Sequence, residues 1–570
     1  MPLDAYRTAD GGARQGPADL WCTYAAVRTL TWLGAAPADP EATAAFLRGR
    51  QNADGAFAWQ KGLPSDVWAT YYCTQALSDL GGEIPRRGEL ADWLARTQHP
   101  TGGFAMTPGQ RPDVWATYYA TRLWDEILRR PVPGPRALRR WLAGLQREDG
   151  ALGWYPGAPD SDVRACYYGA LAWRAAFADR AVPWRRTDLL GWLGERQRPD
   201  GGYVFDTAST ASCLWATFRA VRALDALGAR PARAADCARW ISARQTATAS
   251  FTRWEGYPDP DVWAAFSAVG AAQTLGHPLP DAAPVLAFLK ECELPEGGFT
   301  YRRVEAAGDS LATSALLLVD AAAGGADTPR ARERARWLHA AHLPYEGGVM
   351  YMPGRGAEIR CTLWAVGALA AAGRPALDGD RIAAWLRRLQ NRDGGFGYWH
   401  GRASDMVATV SALEILAGLG RRPQEVLDAT RLADFVEACR GAGGYGQVPG
   451  AAPTCAATAQ ALRARHLLGE RDEARRLAAD TLPGYASRLG GYTAGRRGVP
   501  DLVSTYQAVL TRQVLELPVD TADLGRLLDR LRPDGEGYAW SPLGRRSGGP
   551  LATALGTLLN GPDPLVPLNL

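Results

Sequence analysis

The sequence predicts an all-α protein built as two (α/α)6 toroid barrels from twelve helical-hairpin repeats of about 48 residues, and three observations lead there. An Asp-Val-Trp-Ala-Thr-like pentapeptide returns at Asp19, Asp66, Asp113, Asp162, Cys213, Asp261, Asp309, Glu358, Asp405, Thr454, Asp501 and Gly549, with gaps of 47 to 51 residues. A glycine-rich loop precedes each return, and an apolar helical stretch precedes most of these loops. The stretch after the pentapeptide is apolar almost all round, as in a helix enclosed by other helices, whereas the stretch before the loop carries charge on one face. An inner ring of helices inside an outer ring follows.

Within one unit the outer helix comes first, as in ELADWLARTQ (89–98) and RIAAWLRRLQ (381–390), with apolar residues at helical spacing. Loops such as QHPTGGFAMTPGQRPD and QNRDGGFGYWHGRASD stop it with Gly and Pro. The Asp of the pentapeptide is placed to cap the inner helix, as in DVWATYYCTQALSDLG. Twelve inner helices but only eleven outer ones are expected, because the 18 residues before Asp19 lack an apolar helical pattern. Twelve units in one ring would leave a wide hole, so two rings of six are expected. With HPLPDAAP (277–284) as the seam, residues 1–280 form a barrel with an aromatic lumen and residues 281–570 one with an arginine-rich rim. One ring has to close with an element the pattern does not identify.

Composition narrows the function. The chain is 47% hydrophobic yet has no apolar run near 18 residues, which argues against a membrane span. MPLDAYRTADGG has no apolar core of a signal peptide, so a cytoplasmic location is expected. Nine cysteines without a CxxC pair suit buried thiols, and a net charge of +4 argues against a nucleic-acid partner. Lysine occurs only at Lys61 and Lys290, so the position of an arginine carries more weight than its presence.

The outer-helix end, the GGF-type loop and the D-V-x-x-T start of the inner helix recur along nearly the whole chain, as in LQNRDGGFGYWHGRASDMVATVSALEILAGLG (389–420). In these the sequence resembles the prenyltransferase and squalene-oxidase repeat family, which includes protein prenyltransferase β subunits, squalene-hopene cyclases and class II diterpene cyclases. Two barrels in one chain are similar to the class II cyclase arrangement. The resemblance implies a DxDD acid motif at the pentapeptide, but its third and fourth positions read WC, WA, WA, RA, WA, WA, LA, RC, VA, AA, VS and LA. It also implies a zinc-binding Asp-x-Cys with a later His. No Asp-x-Cys occurs, and Cys22, Cys361, Ser504 or Ala fill the His position, so no zinc site is expected. GGFTYR (297–302) resembles the prenyltransferase segment whose Arg binds a prenyl diphosphate, and the match falls on Arg302.

Helical periodicity puts positions 2, 5, 6 and 9 beyond each pentapeptide start on one face, which should line the lumen. In the first six units position 2 is Trp21, Trp68, Trp115, Arg164, Trp215 and Trp263, and position 5 is Tyr24, Tyr71, Tyr118, Tyr167, Phe218 and Phe266. Such rings suit a polyene or a carbocation by cation–π attraction, and they equally suit a filled core. Arg164 should meet an anionic substrate group or a carboxylate such as Asp160 or Asp162. Arg28, Arg122 and Arg222 at position 9 are expected to reach out of the far end.

In the last six units the rim loops carry Arg302, Arg303, Arg355, Arg360, His400, Arg402, Arg496, Arg497, Arg545 and Arg546. Of these, Arg302, Arg303 and Arg360 are the diphosphate candidates, since a planar guanidinium gives bidentate contacts. Asp309, Glu358 and Asp405 at cap positions and Glu414 on a lumen face are the candidate acids. The turn pairs Asp160/Asp162 and Asp259/Asp261 are the places where Mg2+ would accompany a diphosphate; no other cofactor is expected. The resulting expectation is a terpenoid cyclase of class II descent acting on a linear isoprenoid with a relocated acid or a different initiation step. Its alternatives are a prenyl-diphosphate-using transferase and a non-catalytic toroid that binds an isoprenoid or a protein.

Overall fold

A computed structural model describes the chain except residues 1–5, 15–17, 60–64, 159–160, 179–180, 208, 210, 247–249, 257–259, 278, 280, 304–307, 344–345, 353–354, 400–401, 533–536, 545–546 and 562–563. Asp160, Asp259, His400, Arg545, Arg546 and Lys61 lie outside the described residues. Helices dominate. In the first compact unit, Pro17–Val304, they are α1 (Leu20–Trp32), α2 (Pro40–Arg48), α3 (Val67–Asp79), α4 (Arg87–Arg96), α5 (Val114–Arg122), α6 (Pro135–Ala143), α7 (Val163–Phe177), α8 (Arg186–Gly194), α9 (Leu214–Ala226), α10 (Ala234–Ser242), α11 (Val262–Leu275) and α12 (Ala283–Cys292). Odd-numbered helices are inner, and α11 returns to α1 to close the ring. A π-helical turn, Leu123–Leu128, extends α5.

The second unit comprises Met1–Gly16 and Glu305–Leu570. Its helices are α13 (Ser310–Ala322), α14 (Pro329–Ala341), α15 (Ile359–Ala371), α16 (Gly379–Leu389), α17 (Met406–Gly418), α18 (Pro423–Val426), α19 (Ala429–Ala438), α20 (Cys455–Leu467), α21 (Arg471–Thr481), α22 (Leu502–Val514), α23 (Thr521–Arg530) and α24 (Gly549–Leu559). Here α13, α15, α17, α20, α22 and α24 form the inner ring, closed by α24 against α13. Among the described residues no helix is long and apolar enough to cross a membrane.

Each repeated residue has a bond to explain it. The pentapeptide Asp caps its helix, as Asp66 Oδ1 does by accepting from Ala69 N at 2.7 Å. The pentapeptide Thr accepts from the backbone of its own loop: Phe57 N to Thr70 Oγ1 and Phe104 N to Thr117 Oγ1, both at 3.0 Å. Where the outer helix ends in Gln, as in the first five repeats and at Gln390, that side chain holds the following loop, and Gln390 Nε2 also reaches the next repeat, donating to Gly394 O at 2.9 Å and Asp428 O at 3.0 Å. Gly102, at φ 112°, is required because a Cβ there would stand 2.2 Å from the backbone of Ala137 on the next outer helix.

The same bond closes both rings and answers the question the pattern left open. In the first unit Phe299 N donates to Thr23 Oγ1 at 3.0 Å, so α12 and its loop complete six outer helices. This is why the unit runs to 304 rather than stopping at the expected seam after 280. In the second unit Ala13 N donates to Thr313 Oγ1 at 2.9 Å, and Asp309 N donates to Ala13 O at 2.7 Å. Asp10-Gly11-Gly12-Ala13 is therefore a repeat loop without its outer helix, held by Trp337 Nε1 donating to Asp10 Oδ2 at 2.9 Å.

Candidate functional site

The lumen of the 17–304 barrel is layered. Its middle is a closed circuit of position-5 rings: Tyr24–Tyr71 at 6.0 Å, Tyr71–Tyr118 at 6.4 Å, Tyr118–Tyr167 at 5.3 Å, Tyr167–Phe218 at 6.0 Å, Phe218–Phe266 at 5.1 Å and Phe266–Tyr24 at 5.9 Å. All six are buried, and Tyr118 and Tyr167 hydrogen-bond through their hydroxyls at 2.8 Å. These rings form a packed floor between the two ends of the lumen. Above them, at the inner-helix N-termini, Trp21 stacks on Trp263 at 4.4 Å with Trp215 edge-on at 6.0 Å, and Trp68 meets Trp115 at 4.6 Å. Arg164 turns back onto its own cap: Nη2 donates to Asp162 Oδ2 at 2.7 Å and Nε to the same oxygen at 3.0 Å.

Beside these tryptophans lie two arginines that the periodicity did not single out. Arg253, in the loop after α10, holds its guanidinium 4.1 Å from the Trp215 ring centroid, and Arg219, at position 6 of α9, lies 4.7 Å from it. Both are at least nine-tenths buried. Arg253 Nη2 and Arg219 Nε have no hydrogen-bond partner among the described residues, while Arg219 Nη1 donates to Trp215 O at 3.2 Å. A buried donor left unsatisfied costs about 1–3 kcal/mol, so these two donors favour an acceptor placed beside them. Five inner helices of this barrel are capped by Asp, but α9 is capped by the thiol of Cys213, which burial drives further toward its neutral form. Replacing that carboxylate removes the counter-ion these arginines would otherwise have.

Asp261 adds an acid to the group. Its Oδ1 caps α11 by accepting from Trp263 N at 2.9 Å and Ala264 N at 2.8 Å, whereas Oδ2 is buried without a partner among the described residues. Burial raises the Asp261 carboxyl above the usual aspartate value, against the opposing pull of Arg253 and Arg302. Arg302 is buried in this same barrel, 5.6 Å above the Tyr301 ring. Arg303 instead faces outward and pairs with Glu291 at 2.5 Å.

In the second unit Arg360 wraps Glu358, with Nε to Oε1 at 2.7 Å, and covers the Tyr398 ring at 4.7 Å. Arg302, Arg303 and Arg360 thus do not make one diphosphate cradle, since they fall in different units and two of them are already neutralised. Asp309 and Asp405 cap their helices through Ala312 N and Ala408 N, each at 2.8 Å. Burial pushes the Asp405 carboxyl up to about 6.

Glu414, expected as an acid on a lumen face, lies in a lumen that is filled. Residues 565–570 run into this barrel and fill it. Asn569 Nδ2 donates to Glu414 Oε2 at 2.7 Å, and Arg463 Nε donates to Glu414 Oε1 at 2.6 Å. Trp364, Gln507 and Tyr506 donate to the backbone carbonyls of Asn569, Leu568 and Val566 at 2.9, 2.7 and 2.7 Å. Both Glu414 oxygens are spoken for, and no substrate fits beside them. Among the described residues no three His, Cys, Asp or Glu side chains gather as metal ligands, and both oxygens of Asp162 are committed to its cap and to Arg164. Asp160 and Asp259, the other members of the two expected Mg2+ pairs, lie outside the described residues.

Models of the prenyltransferase alpha-alpha toroid domain match residues 3–80, 58–182, 179–350 and 310–482, well over half the chain. The chain belongs to that toroid family. Among solved structures, the toroid is similar to the ent-copalyl diphosphate synthase from Streptomyces platensis at 18% identity, over 84% of this chain and 100% of that one, with a TM-score of 0.34. A type II terpene cyclase from Scytonema in complex with geranylgeranyl dihydroxybenzoate matches at 16% identity, over 48% of the toroid and 94% of its own chain, with a TM-score of 0.35. Candida albicans protein geranylgeranyltransferase-I complexed with GGPP matches at 14%, over 44% and 84%, with a TM-score of 0.36. No curated protein matches the toroid.

Proposed function

We propose that the 17–304 barrel binds a linear isoprenoid diphosphate at the N-terminal ends of α9 and α11 and starts its cyclisation by protonation from Asp261. The observation that carries this reading is the division of labour between the Asp261 oxygens. Oδ1 accepts two amide N–H bonds, so in the neutral acid the proton sits on the unpartnered Oδ2. Burial favours that neutral form.

The diphosphate accepts from the unmet donors Arg219 Nε and Arg253 Nη2. A chain held there presents its far double bond to Asp261 only when folded back, which is the conformation ring closure needs. Proton addition leaves a tertiary carbocation beside the Trp215 and Trp263 faces, where each contact is worth about 0.5–2 kcal/mol. Loss of a proton from the cyclised cation balances the reaction without an oxidant or reductant.

A second reading, a toroid that holds a prenyl diphosphate without converting it, is favoured by the closed ring of six aromatics beneath the site. Incubation with geranyl, farnesyl and geranylgeranyl diphosphate in D2O separates the two. Cyclisation predicts a cyclic product carrying one deuterium, lost in Asp261→Asn while binding persists. Tight binding with no product in the wild type would establish the second reading, and cyclisation retained by Asp261→Asn would remove Asp261 from the mechanism.

A further inference from the structure

The opposite end of the same lumen, below the aromatic floor, holds a cavity of about 390 Å³ at the C-terminal ends of the inner helices. That volume is at the lower end of pockets that enclose small ligands, about 300–1,000 Å³. Phe218 and Phe266 form its roof and Trp32 one wall, with Trp32 4.9 Å from Phe266. Arg28, Arg122 and Arg222, which helical spacing alone would send outward into water, line it.

The three arginines are not equivalent. Arg28 is held by Asp79. Arg122 is bidentate on Glu126, with Nε to Oε1 at 2.6 Å and Nη2 to Oε2 at 2.9 Å. The π-helical turn Leu123–Leu128 carries Glu126, and Tyr71 donates to the same carboxylate at 3.0 Å. A π-turn inside a helix is a conformation found mostly at functional sites. Arg222 has no carboxylate within ion-pair distance among the described residues, and donates only to Thr274 Oγ1 at 3.4 Å. At the mouth Asp225 pairs with Arg174 at 2.8 Å.

We propose that this cavity is a binding site for a small amphipathic monocarboxylate, its carboxylate on Arg222 and its apolar body against Phe218, Phe266 and Trp32. One unneutralised guanidinium matches one carboxylate, since the neighbouring cations already carry Asp79 and Glu126. A diphosphate brings more charge than one unneutralised guanidinium can match, so it is disfavoured here. The ring of six aromatics separates this site from Asp261, and the proposal does not rest on the cyclase reading.

Isothermal titration of the full chain with decanoate and with decanol tests it. Decanoate binds the wild type, Arg222→Gln weakens it at least tenfold, and decanol binds both forms alike. Thr274→Phe, on α11 beside Arg222, fills the cavity and abolishes binding, which keeps the test decisive should Arg222→Gln fail to fold. Absence of decanoate binding to the wild type, equal affinity in Arg222→Gln, or undiminished binding in Thr274→Phe overturns the proposal.

Discussion

Asn569 bridges a buried ion pair: its Nδ2 donates to Glu414 Oε2 at 2.7 Å and its Oδ1 accepts from Arg463 Nη2 at 3.0 Å. Ser411 Oγ accepts a further bond from the same amide at 3.0 Å. Removing one member of such a network strands the others without water. Asn569→Leu should therefore cost roughly 2–4 kcal/mol, measured as a shift in urea midpoint at unchanged slope. A loss below about 0.5 kcal/mol, the size of a surface substitution, would mean the segment is loosely seated.

At the head of α9 the thiol cap offers a reciprocal test. Cys213→Asp restores the carboxylate that the five sibling helices carry, and it delivers a negative charge to Arg253 and Arg219. Stability should hold or rise by about 1 kcal/mol, while affinity for geranylgeranyl diphosphate falls at least tenfold. Unchanged affinity would show that these arginines do not receive the diphosphate.

Asp405 makes a pH-dependent contribution with a defined sign. Its folded value, pushed up to about 6 by burial, lies above the unfolded one, so the native state holds the proton more tightly. The stability this confers is complete below about pH 4 and disappears as pH rises through 6, a change of roughly 3 kcal/mol. Asp405→Asn keeps a capping oxygen and does not titrate. The stability difference between wild type and variant should fall by that amount between pH 4 and 7, and a flat difference would refute the assignment.

The six-membered aromatic floor predicts a core-type response. Phe266 touches Phe218, Tyr24, Trp32 and Trp263. Phe266→Ala should lose about 3–5 kcal/mol by thermal or urea unfolding. A loss under 1 kcal/mol would mean that the rings line open space instead.

The repeat made the architecture readable because each of its conserved-looking letters closes a bond that recurs from unit to unit: Asp on an amide pair, Thr on the loop, Gln on the next helix. Helix count, the inner and outer rings and the lumen face of positions 2 and 5 all follow from that regularity. What stayed hidden departs from it. Arg219 sits at lumen position 6, which also reads Ala25, Tyr72, Tyr119, Tyr168 and Ser267 and so sets no pattern, Arg253 lies in a loop without periodicity, and Asp261 looks like any other cap until its second oxygen is seen to lack a partner among the described residues. Cys213 was the available signal, a thiol where its barrel otherwise uses carboxylates. No periodicity announces that residues 565–570 fill a lumen, because an extended segment pairs through its carbonyls, which every residue shares.

The loop at residues 10–13 joins a ring whose other parts begin some 300 residues later, with Thr313. During synthesis the closing piece of the later barrel emerges first and has nothing to dock on until the whole of the earlier barrel has been made. Its docking partners, α13 through Thr313 and α14 through Glu333 and Trp337, both lie beyond residue 304. Completion of the later ring is thus a late, long-loop event whose rate depends on the first dozen residues staying accessible. A gene split after residue 304 would leave the later ring without the loop that docks on α13 and α14, and a peptide spanning residues 6–14 supplied separately should restore it.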